Sequence, residues 1–240
     1  MTRTTFACCT IAFLLLSCST PEQPKDNVLS DSEIADGWHL LFDGQSAAGW
    51  RSFNGGSLPE GWIVENGTLT SLGKGGDIGG DIVYATEEYE NFDLRLEWML
   101  SEGGNSGIFY HVVEGESYAA PYENAPEYQV IDDLKFPQPL GAWQQVGADY
   151  AMYEPDSGKI VKPAGEWNTS RILFTPDSVE YFLNGKATVR FVPWTQDWDE
   201  RKTSGKWKDF PDYGTARTGL IGLQDHGSVI RYKNIKIKRF

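Results

Sequence analysis

Two short stretches of this sequence concentrate side chains able to move protons or hydrogen-bond a polar ligand. Glu127-Tyr128-Gln129-Val130-Ile131-Asp132 alternates, so on a strand Glu127 and Gln129 project to one side and Tyr128, Val130 and Asp132 to the other. Two long polar side chains so spaced make either a solvated sheet face, the commoner case, or one wall of a groove. Gln224-Asp225-His226-Gly227 follows the apolar run Gly219 to Leu223 and stops at a glycine. Strand ends of this kind carry loop-borne sites on a rigid scaffold. An imidazole serves as acid, base or metal ligand near neutral pH, and the chain has only 3 histidines. His39 sits in an amphipathic stretch, Trp38 to Phe42, which leaves His226 and His111. His111 ends Asn105-Ser106-Gly107-Ile108-Phe109-Tyr110-His111, a turn-like triplet that runs into a strand with Phe109 and His111 on one face. Taken alone, that segment is turn chemistry and a surface histidine. No zinc-protease helix, phosphate loop or nucleophile elbow is present.

Strands must position these groups. Trp62 to Thr70 is a hairpin about Asn66-Gly67, and Arg171 to Leu183 a hairpin about Pro176-Asp177. A further Asn-Gly turn, Asn184-Gly185, leads into Ala187 to Val192. Phe92 to Trp98 alternates strictly, with Phe92, Leu94, Leu96 and Trp98 on one face; Val229 to Phe240 closes the chain. Many short strands punctuated by Gly, Asn and Pro, with no long helical period, predict an all-β fold: a jelly-roll sandwich of two antiparallel sheets. Thr195 to Thr215 has no clear period and mixes charge with Trp198, Trp207, Phe210 and Tyr213. A loop of that length is expected to be functional or to cover something.

The net charge of −13 leaves no basic stripe for phosphates, which argues against nucleic acid. The 9 Trp and 11 Tyr suit either stacking on sugar rings or a sandwich core. At the N-terminus, Arg3 precedes an uncharged apolar run, Phe6 to Leu16, and then Ser17-Cys18. The run is too short to span a bilayer, which takes ~20 residues, and suits a signal peptide. Residues 1–17 are therefore expected to be a lipoprotein signal, with Cys18 the lipidated first residue of an exported protein. The expected location is a bacterial membrane, the outer one, on its periplasmic or surface face. Cys8 and Cys9 leave with the signal, so the mature domain has no disulfide and no cysteine-ligated metal. Ser19 to Asn27 is a polar, flexible tether, and Ser30-Asp31-Ser32-Glu33 a capping box for a helix that Gly37 stops. Residues 18–36 thus form the anchor, tether and helix, and 37–240 a single domain.

Seven segments in order resemble the 3-keto-disaccharide hydrolase domain family. They are Gly37-Trp38 through Leu41-Phe42-Asp43-Gly44, Trp62 through Asn66-Gly67, Asn105-Ser106-Gly107-Ile108, Glu127 through Asp132, Gly165-Glu166-Trp167-Asn168, Leu183-Asn184-Gly185, and Gly219 through Gln224-Asp225-His226-Gly227 to Asn234-Ile235. The resemblance covers residues 37–240. It implies a concanavalin-like jelly roll whose concave face binds carbohydrate, and action on glycosides oxidised to a ketone at C3. His111 stands where relatives place Arg, and Lys233 precedes Asn234 where Arg is usual.

Such chemistry needs a base near C2, an electrophile on the C3 oxygen and an acid for the leaving oxygen. His226, Glu127 and Asp132 are the candidate catalytic residues. Gln129, Asn105, His111, Gln224, Asp225 and Trp207 are the candidate substrate contacts. A divalent metal, with Glu127 and His226 as candidate ligands, would serve as the electrophile. The partner is a glycoside or oligosaccharide. The alternative is a non-catalytic, lectin-like module on the same fold, which needs aromatic platforms but no tuned base.

Overall fold

The structure is a computed structural model and describes residue 1, residues 25–75 and residues 80–240. The expected signal segment beyond residue 1, Cys18 and the expected tether as far as residue 24 lie outside the described residues. In chain order the strands are β1 (Trp38–Leu40), β2 (Trp50–Ser52), β3 (Trp62–Glu65), β4 (Thr68–Leu72), β5 (Ile82–Tyr89), β6 (Phe92–Leu100), β7 (Asn105–Val112), β8 (Glu127–Ile131), β9 (Asn168–Phe174), β10 (Val179–Leu183), β11 (Lys186–Phe191), β12 (Gly219–Leu223) and β13 (Val229–Arg239). One sheet runs β11-β10-β9-β6-β13-β4-β3, with β1 also on β13; the other runs β2-β5-β12-β7-β8. All pairings are antiparallel. The fold is the expected two-sheet antiparallel sandwich.

The inner faces follow the alternation in the sequence. Phe92, Leu94, Leu96 and Trp98 of β6, Ile108 and Tyr110 of β7, and Tyr128 and Val130 of β8 belong to one buried core. The Asn-Gly turns adopt the left-handed conformation that two-residue hairpins demand: φ is 48° and 75° at Asn66-Gly67, and 48° and 80° at Asn184-Gly185.

Two expectations need correction. The segment from Thr195 to Thr215 is not an aperiodic loop. It forms α2 (Gln196–Ser204), capped by the Thr195 hydroxyl, and a 3-10 turn over Lys206–Asp209. Its aromatics build their own stack: Trp207 lies 4.1 Å from Tyr213, and Trp198 5.3 Å from Phe191. The tether is also fixed earlier than its polarity suggests. Asp26 pairs with Lys233 at 2.7 Å, and Asn27 exchanges hydrogen bonds with Asn234. Next comes α1 (Asp31–Ala35), closed by the Ser30–Glu33 capping box. Glu33 pairs with Lys236, and Asp36 with Lys238. The alternating lysines of β13 thus strap residues 26–36 onto the outer face of the larger sheet, opposite the β8 side. Among the described residues no helix is long and apolar enough to cross a membrane.

Candidate functional site

The outer face of the five-stranded sheet brings distant polar residues into one row. Leu223 of β12 pairs with Ile82 of β5, so Asp81 and Gln224 follow as neighbours at the strand ends. The Gln224 N–H donates to the Gly107 carbonyl at 3.0 Å, and Gly107 pairs with Gln129. The row is therefore Asp81, Gln224, Gly107, Gln129. Beside it runs a second row in which Gly222 pairs with Phe109, and Phe109 with Glu127. Two glycines thus leave the middle of the face low. The Glu127 side chain leans into the space over Gly107, where a Cβ would collide with its Oε1.

This floor is buried although it is polar: Glu127 is 4% exposed, Gln129 2%, Asp81 5% and Gln224 7%. Two amide oxygens, Gln224 Oε1 and Asn105 Oδ1, are buried with no protein partner among the described residues. Buried amides are normally satisfied, so unpaired ones on an outer face suit a polar ligand.

The carboxyls are correspondingly perturbed. Burial pushes Asp81 up to about 7; the Asp225 backbone N–H, donated to Asp81 Oδ1 at 2.9 Å, opposes the rise, and the Asp225 carboxylate adds to it. Burial raises Glu127 to about 8, against the pull of Lys206 and with a further push from Asp81. Lys206 is lowered by its own desolvation, an effect that Glu127 offsets. Its ammonium sits 4.2 Å over the Tyr150 ring and 4.8 Å from that of Trp207. The Tyr150 N–H donates to the Glu127 carbonyl at 3.0 Å, so Tyr150 continues the Glu127 row beyond β8.

Some expected site residues lie elsewhere or do other work. His111 does not share a face with Phe109. Tyr110 and His111 together oppose Ile221 in a β-bulge, where His111 has φ 55° and turns inward. Its ring packs 4.6 Å from Phe174 and donates to the Glu90 carbonyl at 2.9 Å, and burial lowers it to about 4. His111 is thus a neutral core histidine rather than a substrate contact. Trp207 is fully buried under Tyr213, with its indole N–H on the Tyr150 carbonyl, so it offers no face to a sugar.

Asp132 accepts from the N–H groups of Gly103, Leu134 and Lys135, which commits its carboxylate to holding the turn after β8. It is a structural acid. Asp225 is similarly engaged by the Gly75 and Gly227 N–H groups and serves to place Asp81. His226 is half-buried in the turn after β12. That turn is fastened beside Asn105, whose N–H donates to Ser228 Oγ at 3.1 Å. Among the described residues no group of three His, Cys, Asp or Glu side chains is placed to hold a metal ion, so Glu127 and His226 do not complete a ligand set.

Asp81, Lys206 and Tyr150 were not singled out in the sequence. Asp81 closes the glycine-rich stretch from Gly75 to Gly80 directly before a strand, a position that could have marked it. Lys206 lies in the aromatic segment expected to cover something, and it does so.

The curated 3-keto-disaccharide hydrolase of Bacteroides thetaiotaomicron is 31% identical over 97% of this chain and 96% of its own length. A Parabacteroides distasonis crystal structure, provisionally assigned to the glycosyl hydrolases, shares 44% identity over 90% of this chain and all of that one, with a TM-score of 0.84. A second Parabacteroides distasonis structure of the same provisional assignment shares 28% identity over 85% of this chain and 99% of that one, at a TM-score of 0.66. The family model of the 3-keto-alpha-glucoside-1,2-lyase-like domain matches residues 37–238, and the chain belongs to that family.

Proposed function

We propose that this protein cleaves glycosides oxidised to a ketone at C3, by elimination across C2 and C1 followed by addition of water. The ketone acidifies C2–H. Asp81, the less basic of the two buried carboxyls, takes that proton, and the bonding pair becomes an enolate whose C3 oxygen accepts from the Gln224 side-chain N–H, while Oε1 is left for a substrate hydroxyl. Collapse of the enolate breaks the C1–O bond, and the neutral Glu127 carboxyl gives its proton to the departing oxygen. Water then adds to C1 of the unsaturated ketone. Glu127, now a carboxylate, takes the proton of that water, and Asp81, its carboxyl proton exchanged with solvent in the meantime, protonates C2. The net result is hydrolysis, with both carboxyls restored.

Lys206 stands beside Glu127 and limits how basic its carboxyl becomes. Asn105 accepts from a ring hydroxyl through its Oδ1, Gln129 is held under the site by the Gln144 carbonyl and the Val130 N–H, and His226 at the rim is a further proton carrier for the hydration step. No step is routed through a metal, since among the described residues no three His, Cys, Asp or Glu side chains are placed to hold one.

The observation that carries this reading is the pair of buried carboxyls, Asp81 and Glu127, on one face with Gln224, whose Oε1 has no protein partner among the described residues, between them. An ordinary glycosidase also uses two carboxyls, so the substrate decides the matter. The 3-keto and unoxidised forms of one disaccharide should be incubated with wild-type protein and with Glu127→Gln. Only the keto form should be cleaved, and the variant should lose roughly two to four decades of rate. Cleavage of the unoxidised sugar contradicts the proposal, and saturable binding of both forms without turnover favours the lectin-like alternative.

We also propose that Cys18 carries the lipid and holds the protein at the bacterial outer membrane. The strap of residues 26–36 fixes the end of the tether on the sheet opposite the site, which would leave the site turned from the anchor. Cys18→Ser should release the protein from the membrane fraction; unchanged sedimentation with membranes would refute this.

A further inference from the structure

We propose that the cavity beside Trp143 is the subsite for the leaving-group sugar, and that it takes a neutral hexose or short neutral oligosaccharide; this rests on the 3-keto glycoside reading. The cavity measures about 830 Å³, within the range of ligand sites, and its walls include Trp143, Tyr153, Arg190, Arg201 and Lys206. It is joined to the candidate site through two side chains. Lys206 lines the cavity and is coupled electrostatically to Glu127. Tyr150 continues the Glu127 row, and the Trp143 ring packs 5.4 Å from the Tyr150 ring. A residue bonded through C1 to a sugar at Glu127 would extend over Tyr150 and reach Trp143.

Trp143 is built to be met from outside. Among the tryptophans it alone is an exposed large apolar side chain, at 38%. It is held in place nonetheless: Ala151, at φ 60°, returns the chain so that its N–H donates to the Trp143 carbonyl, and the indole itself packs against the Tyr150 ring. A fixed, exposed indole is a platform on which the apolar face of a sugar ring can stack.

The charges around the cavity point to a neutral ligand. Arg201 pairs with Asp197 at 2.9 Å and lies over the Tyr153 ring. Arg190 faces Glu180 at 3.4 Å, and Asp156 is paired with Lys186. Guanidinium groups engaged in this way still donate hydrogen bonds to hydroxyls, and with Glu154 set against Lys206 in the same lining the walls leave little net field for an anion.

The test compares two substrates and one variant. For a 3-keto disaccharide with a neutral hexose leaving group, Trp143→Ala should raise KM about tenfold and leave kcat nearly unchanged. For the corresponding 3-keto methyl glycoside, whose leaving group cannot reach the cavity, both constants should match those of wild type. Equal losses on the two substrates, or no loss on the disaccharide, would overturn the subsite. A fluorescence titration of wild type and Trp143→Phe with an unoxidised neutral disaccharide tests it apart from turnover. A saturable change in tryptophan emission should appear only in the wild type, and its absence there would also overturn the subsite. Failure of wild type to turn over either keto compound would instead remove the reaction assignment.

Discussion

The Glu127 carboxyl lies over Gly107, in the volume that a Cβ at position 107 would occupy. The two residues sit on adjacent strands, and the absent side chain of one gives the other its place. Gly107 needs no left-handed backbone, so its role is to leave space. Gly107→Ala should therefore displace the Glu127 carboxyl and lower kcat at least tenfold, while overpacking costs about 1–3 kcal/mol of stability. Steady-state kinetics on a 3-keto glycoside, beside a thermal melt, checks this; a folded variant with full kcat would refute it.

The two carboxyls set a narrow pH range for turnover. Asp81 must be ionised to act as base and Glu127 neutral to act as acid, so activity rises with pH through about 7 and falls through about 8. The ammonium of Lys206 favours the Glu127 carboxylate, so its removal should raise the Glu127 value. Lys206→Met should move the alkaline limb to higher pH and leave the acid limb in place. An unmoved alkaline limb would show that Lys206 does not act on Glu127.

Asp81 also links stability to pH. In the unfolded chain it titrates near 4, and burial in the fold raises it to about 7. Its contribution is therefore whole below pH ~4 and is lost as pH rises through the folded value, by on the order of 4 kcal/mol. Asp81→Asn keeps an oxygen for the Asp225 N–H and carries no charge. Its melting temperature should fall less than that of wild type between pH 5 and 8; parallel curves would contradict the assignment.

Much of this arrangement was legible in the sequence. The strict alternation of Phe92 to Trp98 and of Glu127 to Ile131 fixes which side chains enter the core and which leave it. The Asn66-Gly67 and Asn184-Gly185 turns fix two hairpins, and Ser30–Glu33 fixes the start of α1. What was hidden depends on register between strands remote in sequence. Asp81 becomes a site residue only because Ile82 pairs with Leu223. His111 follows the alternating pattern of its neighbours and still turns inward, because one extra residue in β7 inserts a bulge opposite Ile221. Asp132 has the right chemistry for an acid, but three backbone N–H groups claim its carboxylate, which no local pattern shows. Lys206 depends on how α2 and the following turn fold back, and aromatic packing determines that.

The central claim is that Asp81 removes the proton from C2 of a 3-keto glycoside. The most direct measurement is turnover of a 3-keto disaccharide in D2O, with deuterium at C2 of the released 3-keto sugar followed by NMR and mass spectrometry. Wild-type protein should give product carrying one deuterium at C2, and Asp81→Asn should neither cleave nor exchange at an appreciable rate. Product that retains its original C2 hydrogen would contradict elimination and point to direct displacement at C1.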